Sequence, residues 1–203
     1  MITKQRPFNG SLWHETLQWQ PSEEQLVFFE RLYQGIVEGN RQVNLTRITA
    51  PVEFWEKHLW DSLSGLAPWY EPEKPEWLPT VKRVIDIGTG GGFPGLPVAI
   101  ARPRWQVTLL DSTRKKITFL ETLCEQLGLA NTDCVADRAE AAGRKPNHRA
   151  QYDLAMVRAV GPASTCAEYA LPLLKKSGFA ILIRGHWTAQ EEELIKGAQE
   201  TLG

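Results

Sequence analysis

Two different hydrophobic rhythms divide the chain. In the first third, Leu26, Phe29, Leu32, Tyr33 and Ile36 recur at helical spacing and predict one buried helix face. Ser22-Glu23-Glu24-Gln25 opens this helix as a capping box, serine at the cap and glutamine three residues on, and Gly39-Asn40 ends it. A second helix is expected from near Thr49, with Pro51 in its first turn, carrying Phe54, His58, Asp61 and Ser62. Six of the eight tryptophans fall in residues 13–77, where their spacing suits packing anchors. Four prolines between Pro68 and Pro79 read as a linker.

From Val81 the rhythm shortens. Short apolar blocks predict strands at Val81–Ile87, Gln106–Leu110, Cys134–Ala136, Asp153–Val157 and Phe179–Ile183. Between them lie helical stretches: a short one to Ala101, Arg114–Leu127, a turn over Arg138–Ala142, Ala163–Leu174 and finally Glu191–Thr201. Alternation of this kind predicts an α/β fold of the Rossmann-like type, a parallel sheet with helices on both faces. It is preceded by a small helical region, residues 1–80, expected to form one compact unit with a core over 81–203. No sixth or seventh strand is predicted.

Composition narrows the function. With 23 basic against 24 acidic residues the chain is nearly neutral, which excludes a strongly basic nucleic-acid tail or an acidic solvating tail. The balance is uneven, however: residues 81–184 carry 15 basic and 9 acidic residues. That excess is either a solvated face or a modest phosphate-reading surface. Apolar runs are too short to span a bilayer, and the first residues lack the apolar core of a signal peptide, so a cytoplasmic protein is expected. Cys124, Cys134 and Cys166 are odd in number and without CxxC spacing, so neither a disulfide framework nor a metal site is expected.

The chemistry concentrates after the first strand, in Asp86-Ile87-Gly88-Thr89-Gly90-Gly91-Gly92. Glycines at Gly88, Gly90 and Gly92 permit positive φ and let backbone approach a ligand closely. Asp86 suits an ammonium group beside the loop. Asp111, at the tip of the second strand, suits the two hydroxyls of a ribose. A dinucleotide reading of Gly90-Gly91-Gly92-Phe93-Pro94-Gly95 is weaker. It lacks a second mononucleotide-binding half, Pro94 removes an N–H that pyrophosphate would need, and Asp86 would repel that pyrophosphate. S-adenosylmethionine, with its cationic amino-acid end, fits the set better.

Several stretches together resemble one family. They are Asn44-Leu45-Thr46-Arg47-Ile48, His58-Leu59-Trp60-Asp61-Ser62, the run from Val84 to Gly95, Leu109-Leu110-Asp111-Ser112 with Lys115-Lys116, Arg138-Ala139-Glu140 and Val157-Arg158-Ala159. The resemblance, over roughly residues 22–184, is to the small-subunit (16S) ribosomal RNA guanine-N7 methyltransferases, historically called glucose-inhibited division protein B. It implies a cytoplasmic bacterial or organellar enzyme that moves a methyl group from S-adenosylmethionine to N7 of a guanine. By position, Gly88 and Phe93 would line the cofactor loop and Asp111 would hold the ribose, with Ser112 and Thr113 beside it. Ala139 and Glu140 would flank the adenine, and Arg158 would face the reaction. Many members have Lys-Gly where this chain has Arg184-Gly185, and the C-terminal strand pair usual in the fold is not expected from these residues.

Guanine N7 carries an in-plane lone pair, so the reaction needs alignment rather than a strong base. Arg158 is expected to meet either RNA or the carboxylate of the cofactor, the plainer alternative being a surface ion pair with Asp137 or Glu140. Arg114, Lys115 and Lys116 open a helix against its dipole, which favours phosphate contact. Asn44, Arg47, His58 and Arg184 complete the expected RNA-facing set, although Asn44 could instead cap a turn and His58 could be packed with Asp61. The partner expected is small-subunit RNA or the assembled subunit, met by a monomer. Two competing readings are a methyltransferase of a small molecule or protein, and a catalytically silent RNA-binding scaffold.

Overall fold

The computed structural model describes residues 10–185 apart from 72 and 74, together with 188 and 192. Apart from position 192, the helix expected over 191–201 lies outside the described residues. Helices α1 (Gly10–Leu17) and α2 (Glu23–Gly39) lead into α3, a continuous helical stretch of three segments, Pro51–Phe54, Trp55–Trp60 and Asp61–Ser64. Then follow β1 (Arg83–Ile87), α4 (Gly95–Ala101), β2 (Gln106–Asp111), α5 (Arg114–Leu127), β3 (Thr132–Ala136), α6 (Ala139–Ala142), β4 (Tyr152–Arg158), α7 (Ala163–Ala170) and β5 (Leu174–Ile183).

All five strands are parallel, in the order β3-β2-β1-β4-β5. The chain lays down β1, β2 and β3 in one direction, then crosses back to place β4 on the other side of β1. That reversal opens a crevice beyond the carboxyl ends of β1 and β4, where ligands of open α/β sheets bind. Side chains alternate across the sheet, so Val84 and Leu109 face α2, α4 and α5, while Ile85, Ile87 and Leu110 face the α6–α7 side. Asp86 follows Val84 by two residues and points towards α4; Asp111 shares a face with Leu109 in the same way.

The helical N-terminal region packs into the same core. Leu26, Phe29, Leu32 and Ile36 of α2 are all buried, in one apolar cluster with Val84, Leu96, Leu120 and Leu154 of the sheet side. Each such side chain contributes about 1.5–3 kcal/mol by leaving water. The expected capping box forms in full, Ser22 Oγ accepting from the Gln25 N–H and Gln25 Oε1 from the Ser22 N–H.

Several stretches differ from the sequence reading. The proline-rich stretch is packed rather than a free linker: Tyr70 and Leu78 are buried, Trp69 Nε1 donates to the Pro79 carbonyl, and the Arg102 guanidinium lies 4.0 Å over the Tyr70 ring. The expected helix Ala163–Leu174 ends as an α-helix at Ala170 and tightens into a 3-10 turn, Leu171–Leu173, because Pro172 cannot continue an α-helix. Strand β5 then begins at Leu174 rather than Phe179, with a register shift opposite Tyr152–Leu154. Its early residues Lys175 to Ser177 are exposed and polar, so no apolar pattern marked them.

Candidate active site

The turn after β1 is held in shape by two carboxylates. Asp86 Oδ2 accepts from Thr89 Oγ1 at 2.5 Å and from the Gly95 N–H at 2.7 Å, so it ties both ends of the glycine loop together from below. It is fully buried, and its Oδ1 has no hydrogen-bond partner. Burial pushes its pKa up to about 6, against the two hydrogen bonds and the Arg158 charge. Asp111 is 8% exposed; Oδ2 accepts from the Gly90 N–H at 3.0 Å and Oδ1 from the Thr113 N–H at 2.7 Å. Each carboxylate oxygen has two lone pairs, so Asp111 keeps acceptor capacity towards the crevice.

Gly88, Gly90 and Gly92 all have φ between +59° and +93°, the left-handed region. At Gly90 an added Cβ would meet nothing closer than the Gly88 carbonyl at 3.9 Å. The space above that peptide is open, as a loop approached by a ligand requires.

Beside the loop lies a cavity of about 250 Å3, lined among others by Gly88, Asp111, Ser112, Ala139, Glu140 and Val160. The expected cofactor residues Gly88, Asp111, Ser112, Ala139 and Glu140 therefore converge here. Asp86 supports the loop from beneath rather than lining the cavity, Thr113 contributes its N–H to Asp111, and Phe93 is buried on the far side. Tyr169 of α7 also lines the cavity, and contact with Glu140 raises its phenol pKa. Sequence reading missed Val160 and Tyr169, which no motif marks.

Arg158, at the end of β4, is held by α3. Its Nη1 donates to the Lys57 carbonyl at 2.8 Å and its Nη2 lies 3.1 Å from His58 Nδ1. Arginine cannot accept a hydrogen bond, so Nδ1 must carry the lone pair and His58 is the neutral Nε2–H tautomer. Nε2 lies 2.7 Å from Thr46 Oγ1 and donates to it. Burial and the neighbouring Arg158 charge push the His58 pKa down to about 4, which keeps the ring neutral. The imidazole stacks on Phe93 at 4.3 Å between centroids, and the Arg158 guanidinium lies 5.6 Å from the same phenyl ring.

His58 thus corrects an expectation. It is 6% exposed with both ring nitrogens engaged, so it holds Arg158 rather than presenting itself to RNA. Asn44 and Arg47 are exposed, but the turn-capping role weighed for Asn44 belongs to Asn40. Asn40 Oδ1 accepts from the Leu45 and Thr46 N–H groups at 2.9 and 3.0 Å, so it shapes the loop that carries Thr46. Leu45 sits against Gly91, where an added Cβ would come within 3.3 Å of it. Arg114 is exposed and Lys116 half-buried. Lys115 Nζ donates to the Gln42 carbonyl at 2.9 Å, binding α5 to the same loop. Arg184 lies apart from this group, beyond β5, where its guanidinium donates to the Gly161 carbonyl.

A five-stranded parallel sheet with this switch point, a glycine turn after β1 and an acid at the tip of β2 define the Rossmann-like methyltransferase class. A solved putative caffeoyl-CoA O-methyltransferase from Staphylococcus aureus has the same fold, at a TM-score of 0.53 and 16% identity, covering 95% of this chain and 86% of its own. The particular family follows from closer relatives. The family rRNA small subunit methyltransferase G, GidB, matches residues 25–202, and the chain belongs to it. Ribosomal RNA small subunit methyltransferase G of Trichormus variabilis is 54% identical over 202 residues, all of this chain and 82% of its own length. The protein of that name from Microcystis aeruginosa is 57% identical over 192 residues, 95% of this chain and 84% of its own. Among the described residues, no helix is long and apolar enough to cross a membrane.

Proposed function

We propose that this chain transfers the methyl group of S-adenosylmethionine to N7 of a guanine in small-subunit ribosomal RNA. The observation that carries the reading is the Asp111 carboxylate, braced by the Gly90 and Thr113 N–H groups, with acceptor capacity left at the mouth of a nucleoside-sized cavity. Asp86, buried beneath the loop, supports this reading by holding the turn through Thr89 Oγ1 and the Gly95 N–H. Bound there, S-adenosylmethionine supplies an electrophilic methyl on a sulfonium centre.

The residues divide the remaining work. Asp111 holds the ribose hydroxyls, Ser112, Ala139 and Glu140 border the base, and the peptide edges of Gly88 and Gly90 accept the methionyl portion. No group need remove a proton, because guanine N7 attacks with a lone pair it already has. The site agrees with that requirement: His58, the imidazole nearest the loop, has both nitrogens engaged and a pKa near 4. Arg158, fixed by Lys57 and His58, keeps further N–H donors for the acceptor. Arg47, Arg114, Lys116 and Arg184 provide cations for RNA phosphates, a contact that weakens with salt.

The assembled small subunit is the acceptor we propose, approached by a single copy of the chain. Labelled methyl transfer to unmodified small subunits, to naked ribosomal RNA and to ribosomal proteins tests this, followed by mapping of the modified base. Label at N7 of one guanine in the subunit is expected. Label only in protein, or none in RNA, overturns the reading.

A further inference from the structure

A second crevice of about 440 Å3 lies past Ala159, on the side of β4 away from Asp111. Asp61 and Ser64 of α3 line it from one side, and Arg158, Ala159, Arg184 and Gly185 from the other. Ala159, between it and the cofactor cavity, has φ +56°, a conformation that L residues rarely hold without reason. The crevice lies at the carboxyl ends of β4 and β5, on the same edge of the sheet as the cofactor cavity at the ends of β1 and β2.

One polar group in it is unspent. The Asp61 carboxylate makes no hydrogen bond among the described residues, although Lys57 and Arg158 lie within its electrostatic reach. Burial raises its pKa, against those two charges. A half-buried carboxylate that takes no protein donor has acceptor capacity left for a ligand that brings donors.

Guanine brings two, N1–H and an N–H of its 2-amino group, side by side on its Watson–Crick edge. The alternative way of reading guanine, an arginine donating to O6 and N7 together, is the commonest elsewhere. Here it would cover the lone pair that must attack. Recognition from the opposite edge leaves N7 bare, and it leaves a negative charge beside a ring that becomes cationic on methylation.

We propose that this crevice is the guanine subsite and that Asp61 is its specificity residue, accepting N1–H and the 2-amino N–H of the target base. Arg158, which lines the same crevice, is then placed for O6. The assignment rests on the chain being a guanine-N7 methyltransferase.

The test uses the full chain and small subunits reconstituted with RNA carrying guanosine or inosine at the mapped position. Inosine lacks only the 2-amino group. Wild-type protein is expected to prefer guanosine by about ten- to hundredfold in kcat/KM, the worth of one hydrogen bond to a charged acceptor. Asp61→Asn is expected to slow the guanosine reaction and bring the ratio close to one, with S-adenosylhomocysteine affinity unchanged. If Asp61 merely balanced the charge of Arg158, the variant would slow both reactions alike and keep the ratio, which overturns the proposal. Equal wild-type rates on the two subunits overturn it without any variant. N7 methylation by the wild type with either of those results leaves the activity standing and removes only this assignment; no N7 methylation at all removes both.

Discussion

Asp86 offers a test of how the cofactor loop is built. Its carboxyl is fully buried, with an ordinary value of 3.8 raised to about 6 in the fold. The difference makes ionisation of Asp86 costlier in the folded than in the unfolded chain by about 3 kcal/mol. A group whose folded pKa is raised binds its proton more tightly in the native state. Between about pH 4 and pH 6 the native protein therefore holds more protons than the unfolded chain, and stability falls as pH rises through that window. Asp86→Asn removes the titration while keeping an oxygen for Thr89 Oγ1 and the Gly95 N–H. Its new NH2 takes the place of the unpartnered Oδ1 and costs about 1–3 kcal/mol, but that cost is the same at every pH. Urea unfolding of both proteins from about pH 4 to pH 8 should thus give a stability difference that shifts by about 3 kcal/mol in favour of the asparagine variant. A difference that stays constant across this range refutes the argument, whatever its size.

Two further outcomes follow from the same loop. Asp111→Ala removes the acceptor for Gly90 and Thr113 as well as the ribose partner, so S-adenosylhomocysteine affinity by calorimetry should fall at least about tenfold; unchanged affinity would remove the ribose assignment. Gly92→Ala must hold φ +93° and place a methyl 2.8 Å from Leu96 Cγ and 3.1 Å from Leu120 Cδ2. It should lower stability by about 2 kcal/mol or more, read as a reduced thermal midpoint, and an unchanged midpoint would contradict the packing described.

The sheet and its cofactor turn were legible because they are written locally. Blocks such as Val84–Ile87 and Gln106–Asp111 are short and apolar with an acid at or next to their last position, and the glycines between Gly88 and Gly92 follow the first at once. The assembly around Arg158 was not legible, since it joins residues about 100 positions apart: Arg158 meets Lys57 and His58 only once α3 docks on the sheet. Periodicity could not reveal that Trp55–Trp60 winds as a π-helix. His58 was ambiguous for a related reason. A histidine on a helix face reads alike whether it meets RNA or, as here, Thr46 and Phe93. In the sequence Asn40 is a stop signal, and the stop it provides is also the clamp on Leu45 and Thr46.

The fit of Leu45 against Gly91 makes the helical region and the cofactor turn interdependent in evolution as well as in space. A larger residue at 91 displaces Leu45, and with it the strand of contacts through Thr46 and His58 to the guanidinium of Arg158. A chimera that takes residues 10–71 from one homologue and the sheet from another should work only where positions 45 and 91 come from a matched pair. The missing side chain at 91 is therefore a compatibility mark between two halves of the molecule that share no motif.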